Sequence, residues 1–219
     1  MTAIMHGKRS HSNGEWSLMN TTVYLIRHSI KMERTKNHWP GFDRIQPLSV
    51  EGERKAQALA ELAELRDADA AFSSPFARTI STLRYITEAD GLLPYLDDRL
   101  RELEFGAMFP PSWQPPGPGG GPPPGDDIRA RQWIDRDLAA PEGESLNQCC
   151  QRMTEAISEF VRANPGKKIL VASHGAAICA YLSSFVEGID DDYTRNLPQP
   201  AVFRMIFRDE TLNSVERIV

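Results

Sequence analysis

The stretch "VYLIRHSI", residues 23–30, decides the fold prediction, because it leads a short strand directly into a pair of reactive side chains. Residues 22–26 are β-branched, aromatic and aliphatic, a composition typical of a buried strand. The run ends on Arg27 and His28. In isolation such a pair is most simply the polar end of a strand that reaches water. Whether it instead belongs to a binding or catalytic site depends on the neighbouring segments.

Two further strands are predicted downstream, and polar residues follow both of them. Residues 68–74 read "ADAAFSS" and precede Arg78, and residues 167–173 read "KKILVAS" and precede His174. The final segment, residues 201–219, alternates around a polar turn and predicts a closing hairpin.

Helical patterns lie between these strands. Residues 48–65 are predicted to form a helix with Ser49 as its N-cap. Residues 74–89 predict a second, with Ser74 as N-cap and Pro75 at its first position. A third pattern, residues 176–188, is predicted to stop at Gly188.

The clearest helical pattern covers residues 143–164. Ser145 and Gln148 have the spacing of a capping box, in which each side chain bonds the backbone of the other residue. One apolar face is predicted, formed by Leu146, Cys150, Met153, Ile157 and Val161.

Strands that alternate with helices predict parallel βαβ units. We therefore expect an α/β fold, a single three-layer α/β/α sandwich around a mostly parallel sheet. Residues 1–20 are predicted to be a flexible extension, and residues 21–219 the domain.

A Pro/Gly-rich segment, residues 110–125, interrupts this pattern with half of the chain's 16 prolines and a third of its 15 glycines. Such a composition forms neither helix nor strand interior. It is either a linker between two domains or an excursion within one. We expect an excursion, because the strands that follow are needed to complete the sheet.

The overall composition excludes several classes of partner. The chain has 219 residues and a net charge of -5, which argues against nucleic acid or an anionic membrane as a partner. Serines and a His-Gly pair interrupt the weakly polar run of residues 169–186, so we expect a strand, turn and helix there rather than a membrane span. The 3 cysteines form no metal-ligand pattern and are expected to be reduced thiols in a cytoplasmic protein.

Arg27, His28, Arg78 and His174 all follow the carboxyl ends of predicted strands, where open α/β sheets bind ligands. Free N–H groups at the adjoining helix N-termini favour anions, and arginine makes forked hydrogen bonds to phosphate. These residues therefore predict a pocket for a phosphate-like dianion.

This pocket has the components of phosphoryl transfer. A neutral imidazole can attack phosphorus when a hydrogen bond fixes its tautomer, and surrounding cations stabilise the transferring group. The leaving alkoxide needs a proton, and the candidate donors are Glu102 and Glu104 in "DDRLRELEFG", residues 97–106.

In order and approximate spacing, these motifs resemble the histidine phosphatase superfamily, the phosphoglycerate-mutase-like proteins. "LIRHS" resembles its Arg-His-Gly motif, "SSPFARTIST" its Ser-Pro…Arg…Thr block, and "VASHGAAI" its second histidine. "GFDRIQPLSVEGERKA", "RLRELEFG" and "EGES" resemble the blocks between them, so that the likeness runs from residue 22 to about residue 185.

The resemblance implies a role for each matched residue. His28 would be the nucleophile that accepts the phosphoryl group, and Arg27, Arg78 and His174 would bind the phosphate. Glu102, rather than Glu104, would be the proton donor.

The matched motifs depart from the family at several positions. Ser29 replaces the usual glycine, although its backbone carbonyl can still hold the His28 imidazole. Arg34 stands where many relatives have a phosphate-binding asparagine, and either adds a third guanidinium or points away from the phosphate. Asn37 matches a family asparagine, so it is a further candidate for substrate binding.

The resemblance favours a metal-independent phosphomonoesterase that needs no cofactor and acts on a small phosphorylated metabolite. A phosphoglycerate-type mutase is less favoured, because the mutase-specific stretch after the donor loop is replaced by the Pro/Gly-rich segment. An inactive phosphate-binding or scaffolding relative is the third alternative. For the esterase we expect a bell-shaped pH–rate profile, with Glu102 protonated and His28 neutral.

Overall fold

The computed structural model describes residues 20–33, 42–106 and 126–219. The predicted extension, residues 1–20, lies outside these ranges except for Asn20, which begins the first strand. The Pro/Gly-rich segment, residues 110–125, also lies outside them. Both assignments therefore stay predictions.

The described strands form one six-stranded sheet in the order β3-β2-β4-β1-β5-β6. Strands β1 to β4 are mutually parallel, and β5 is antiparallel to both of its neighbours, so the expected mostly parallel α/β sheet is confirmed. The strands span Asn20–Arg27 (β1), Ala70–Ser73 (β2), Tyr95–Leu96 (β3), Lys168–Ser173 (β4), Ala201–Arg208 (β5) and Thr211–Arg217 (β6).

Helices cover both faces of this sheet. Val23 and Leu25 of β1 pack in a cluster that includes α5 and α6, whereas Tyr24 and Ile26 pack with α2 and α3 on the other face, because successive side chains of a strand point to opposite sides. The described helices are Phe42–Ile45 (α1), Val50–Leu59 (α2), Ala77–Ala89 (α3), Asp126–Gln132 (α4), Leu146–Ala163 (α5), Gly175–Leu182 (α6) and Asp191–Asn196 (α7). No helix in the described part of the chain is both long and apolar enough to cross a bilayer.

Two helices end earlier than predicted. α2 begins after its Ser49 cap as expected, but it ends at Leu59, and a turn brings Leu65 into the same buried cluster as Leu59. A continuous helix would carry Leu65 about 9 Å further along the axis. α6 ends at Leu182, well before Gly188, because the chain tightens into turns there.

α3 begins later than predicted, with Phe76 rather than Ser74 at its N-cap position. The Ser74 hydroxyl does not cap the helix, because it lies 2.8 Å from Nε2 of His174 and accepts a bond from the Phe76 N–H at 3.4 Å.

α5 has the predicted capping box, with Ser145 and Gln148 each bonded to the other's backbone. Its buried face includes Cys149, however, and not Cys150. Cys149 lies in line with Leu146 and Met153 on the face that packs against the sheet.

Candidate active site

The carboxyl ends of β1, β2 and β4 meet at one edge of the sheet because these strands are parallel. Arg27 ends β1 and pairs with Ser173 of β4. His28, Ser74 and His174 follow the three strands, so that the topology places them together.

His28 lies buried at this edge, with 3% of its surface exposed. Its Nδ1 is 2.7 Å from the Ser29 carbonyl oxygen. A carbonyl can only accept, so Nδ1 carries the proton and Nε2 keeps its lone pair. Burial, followed by the positive charge of Arg78, holds the pKa of His28 well below its usual range, although the Ser29 carbonyl opposes this shift. His28 is therefore neutral at physiological pH.

Arg78 lies against the Nε2 atom of His28. Its Nε donates to Nε2 of His28 at 3.3 Å, and its side chain is almost fully buried. The other end of the guanidinium donates to the Asp43 carbonyl at 2.6 Å and to the Asp43 carboxylate at 3.2 Å. Phe76 packs beside it, with the guanidinium carbon 4.8 Å from the ring centre. These contacts hold the charge next to His28.

His174 completes the pair of imidazoles. The ring centres of His28 and His174 are 5.2 Å apart in an edge-to-face arrangement. His174 is fully buried, and burial together with Arg78 keeps its pKa well below the usual value. Nε2 of His174 bonds the Ser74 hydroxyl, whereas its Nδ1 is buried and has no hydrogen-bond partner in the described structure.

Arg27 lies beside His174. Its guanidinium packs on the backbone of Gly175, where an added Cβ would lie 3.0 Å from the guanidinium carbon. Nη1 donates to the carbonyl of Leu197, which anchors one end of the group. Its Nε is buried and has no partner among the described residues. Buried donors without acceptors are costly, so Arg27 and His174 offer two unmatched nitrogens that suit an oxyanion.

Glu102 reaches the same edge from the loop after β3. Its Oε1 accepts the backbone N–H of Ala177, in the first turn of α6, at 3.0 Å. Its charge also acts on Arg27, whose pKa is lowered by burial and raised by Glu102. Glu104, by contrast, is exposed and lies 3.7 Å from Arg101 in an ion pair. The geometry therefore brings Glu102, and not Glu104, to the cationic pocket.

The sequence profile of the histidine phosphatase superfamily (branch 1) matches residues 23–213. The chain belongs to this superfamily.

Its curated relatives include the probable phosphoglycerate mutase GpmB of Serratia proteamaculans, which is 28% identical over 201 residues, covering 89% of this chain and 84% of the relative. Among solved structures, a mycobacterial glucosyl-3-phosphoglycerate phosphatase has a TM-score of 0.66 at 20% identity, covering 91% of this chain and 98% of that one. A Bacillus anthracis phosphoglycerate mutase has a TM-score of 0.64 at 18% identity, covering 92% and 93%. At these identities the structural likeness shows a shared, phosphoglycerate-mutase-like fold.

Within the superfamily pattern, Ser29 is the main departure that the structure describes. Its hydroxyl donates to the Gly52 carbonyl at 2.7 Å, and its N–H donates to the Thr82 hydroxyl at 2.9 Å. The side chain therefore has a polar partner on α2 and leaves the carbonyl contact with His28 in place.

The remaining predicted substrate-binding residues, Arg34 and Asn37, lie outside the described residues. Conversely, the sequence interpretation missed Ser74 as a partner of His174 and Asp43 as a partner of Arg78. Ser74 could have been found, because it follows β2 as His174 follows β4. Asp43 gave no local signal, since it lies 35 residues from its partner.

Proposed function

We propose that the protein is a phosphomonoesterase that transfers the phosphoryl group of a small phosphorylated metabolite to His28 and then to water, without a metal ion or other cofactor. The observation that carries the proposal is the 2.7 Å contact between Nδ1 of His28 and the Ser29 carbonyl. It leaves Nε2 as a lone-pair nucleophile beside the Arg78 guanidinium.

In the first step, the Nε2 lone pair of His28 forms an N–P bond while the P–O bond of the ester breaks. The leaving oxygen takes the proton of the Glu102 carboxyl and departs as an alcohol. In the second step, water attacks phosphorus, Glu102 takes up a proton from that water, and the N–P bond breaks. Inorganic phosphate leaves, and both residues return to their starting protonation states.

The charges around His28 support the assignment of Arg27, Arg78 and His174 to phosphate binding. Arg27 and Arg78 can neutralise the oxygens of the transferring group, work that a metal ion performs in other phosphoryl-transfer enzymes. The unmatched nitrogens of Arg27 and His174 supply further donors. Arg34 and Asn37 remain proposed contacts of the same phosphate.

A phosphoglycerate-type mutase is the second candidate, favoured by the curated relative described as a probable phosphoglycerate mutase. A mutase returns the phosphoryl group from histidine to an organic acceptor instead of water. The glucosyl-3-phosphoglycerate phosphatase among the structural neighbours favours transfer to water. The two candidates share His28 and differ in the fate of the phosphoryl group.

Phosphate release from a panel of sugar, nucleotide, amino-acid and glycerate phosphates in excess EDTA tests the proposal. We expect turnover to continue, and His28→Ala to lose roughly two to four orders of magnitude in rate. Rapid acid quench with a labelled substrate should trap an acid-labile, base-stable phosphoenzyme in the wild type and none in His28→Ala. Arg162→Ala, an exposed change on α5, serves as the control.

Different failures distinguish the alternatives. Loss of activity in EDTA, or near-normal activity of His28→Ala, contradicts the proposal. Isomerisation of a phosphoglycerate without phosphate release identifies the mutase. Tight binding of inorganic phosphate without a labelled protein identifies the scaffolding relative.

A further inference from the structure

Arg152 of α5 is a buried cation outside the phosphate site, with only 8% of its surface exposed. Its partners lie in two segments, around Glu102 and at Glu144, and on α5 itself. Nε and Nη2 donate to the Glu144 carboxylate, and Nη2 also contacts the Cys149 sulfur at 3.1 Å. The remaining donors bind backbone carbonyls of the segment that carries Glu102. Each nitrogen of the guanidinium therefore has at least one hydrogen-bond acceptor.

The carbonyls that Arg152 binds flank the proposed proton donor. Nη1 donates to Arg99 and Arg101, each at 2.7 Å, and Nη2 donates to Glu102 itself at 3.0 Å. A guanidinium is rigid and planar, so these bonds fix the positions of the carbonyls relative to each other. The backbone from which the Glu102 side chain leaves is therefore held from one side by a single group on α5.

Glu144 fixes the next part of the same loop. Its carboxylate accepts the Glu104 N–H at 3.0 Å, while its own N–H donates to the Glu104 carbonyl at 2.9 Å. Gly106 follows with a positive φ of 53°, and an added Cβ there would lie 2.4 Å from the Gly143 nitrogen. The loop is thus held on both sides of Glu102.

Stability alone does not account for this arrangement. Buried ion pairs contribute little net stability, because desolvation of both charges offsets their attraction. What the pair provides is a defined geometry for residues 101–104, which follow a single 3-10 turn at Asp98–Leu100 and lie outside helix and strand. The side chain emerging from that loop, Glu102, must lie within hydrogen-bond reach of a leaving oxygen to donate its proton.

We propose that Arg152 is a positioning residue that, together with Glu144, holds the loop of residues 98–104 so that Glu102 can protonate the leaving group. The inference rests on the proposed function, since Arg152 can position the proton donor only if Glu102 is that donor. It predicts a defect confined to protonation, with phosphate binding left intact.

Two substrates of nearly the same shape separate protonation from other steps. Phenyl phosphate releases a basic phenoxide that needs a proton, whereas p-nitrophenyl phosphate releases a far weaker base. We expect Arg152→Lys to lower kcat/KM for phenyl phosphate about 10- to 100-fold and for p-nitrophenyl phosphate less than about threefold. Lysine keeps the charge but cannot reach several carbonyls at fixed angles. The inhibition constant of inorganic phosphate should change less than about twofold.

The control is Arg162→Lys, the same change in an exposed arginine of α5 that also pairs with a glutamate, and it should leave both substrates unaffected. Glu102→Gln should reproduce the selective loss. Equal losses on both substrates, weakened phosphate inhibition, or no loss at all in Arg152→Lys would overturn the inference. If Glu102→Gln itself shows no selectivity, the acid assigned in the proposed function fails as well.

A folding defect in Arg152→Lys would not prevent the test. Arg152→Met combined with Glu144→Gln removes both charges together, which proteins tolerate better than the loss of one partner. This double variant also removes the donors to the loop, so it should show the same selective loss on phenyl phosphate. If the ratio of kcat/KM for the two substrates is the same in this double variant as in the wild type, the inference is overturned.

Discussion

Ser29 shows how a side chain can be accommodated next to His28 without disturbing the hydrogen bond of that imidazole. The chain places a hydroxyl where the superfamily pattern has glycine, directly after His28. The hydroxyl donates to the Gly52 carbonyl on α2, and the backbone carbonyl of Ser29 remains bonded to His28. The side chain of Ser29 therefore bonds α2, while its backbone carbonyl bonds His28.

Ser29→Ala should lower stability but not activity. The substitution leaves the Gly52 carbonyl buried without its donor, which costs about 1 kcal/mol, while the His28 contact is made by the backbone and persists. Urea unfolding should show the loss, and kcat/KM for p-nitrophenyl phosphate should stay within about twofold. A large loss of activity at unchanged stability would mean that the hydroxyl acts on His28.

At the scale of elements, the ends of strands and helices bring the site together. β1 ends on Arg27 and is followed by His28, the first turn of α3 supplies Arg78, and the β4–α6 junction supplies His174. α5 reaches the segment that carries Glu102 through Arg152, which binds its carbonyls, so the position of that segment depends on where α5 begins. The capping box at Ser145 provides that start.

Ser145→Ala should destabilise the protein by about 1 kcal/mol, because the Gln148 N–H at the start of α5 loses its acceptor. Ser158→Ala is the matched control, since it makes the same change in the interior of α5, where alanine is the better helix former. Chemical denaturation of both variants compares them directly. Equal stabilities would show that the cap contributes nothing.

At the scale of the whole molecule, two buried imidazoles make the free energy of unfolding depend on pH. His28 and His174 both have pKa values lowered well below the usual range, chiefly by burial and then by Arg78; Arg27 and Lys31 act in the same direction on His28. In the unfolded chain these imidazoles regain ordinary pKa values. As pH falls below about 6.5, the unfolded chain therefore binds protons that the folded protein excludes, and stability decreases.

Urea unfolding at about pH 7.5 and about pH 5.5 should show this loss, at most about 1.4 kcal/mol per imidazole and pH unit. His174→Gln removes one of the two groups, so its stability should fall less than that of the wild type over the same interval. All other titrating groups are common to both proteins. An equal fall in both would mean that His174 binds its proton equally well in the folded and unfolded states.

Much of the fold could be predicted because its signals are local. The strand of β1, the cap of α2 and the capping box of α5 depend on residues a few positions apart. Helix ends were predicted less well, because α2 and α6 stop where packing requires a turn rather than at a breaker residue. Similarly, the choice between Cys149 and Cys150 depends on which side of α5 meets the sheet.

Sequence patterns were sufficient to predict β1, β2, β4, the closing hairpin and helices α2, α3, α5 and α6, and to place Arg27, His28, Arg78 and His174 near the ends of strands. They did not predict β3, α1, α4 or α7. How those residues are paired depends on the tertiary structure. Ser74 lies 100 residues from His174, and Arg152 lies 53 residues from Arg99. Such partners depend on how the parallel strands and α5 pack in three dimensions, and spacing along the chain carries no information about that packing.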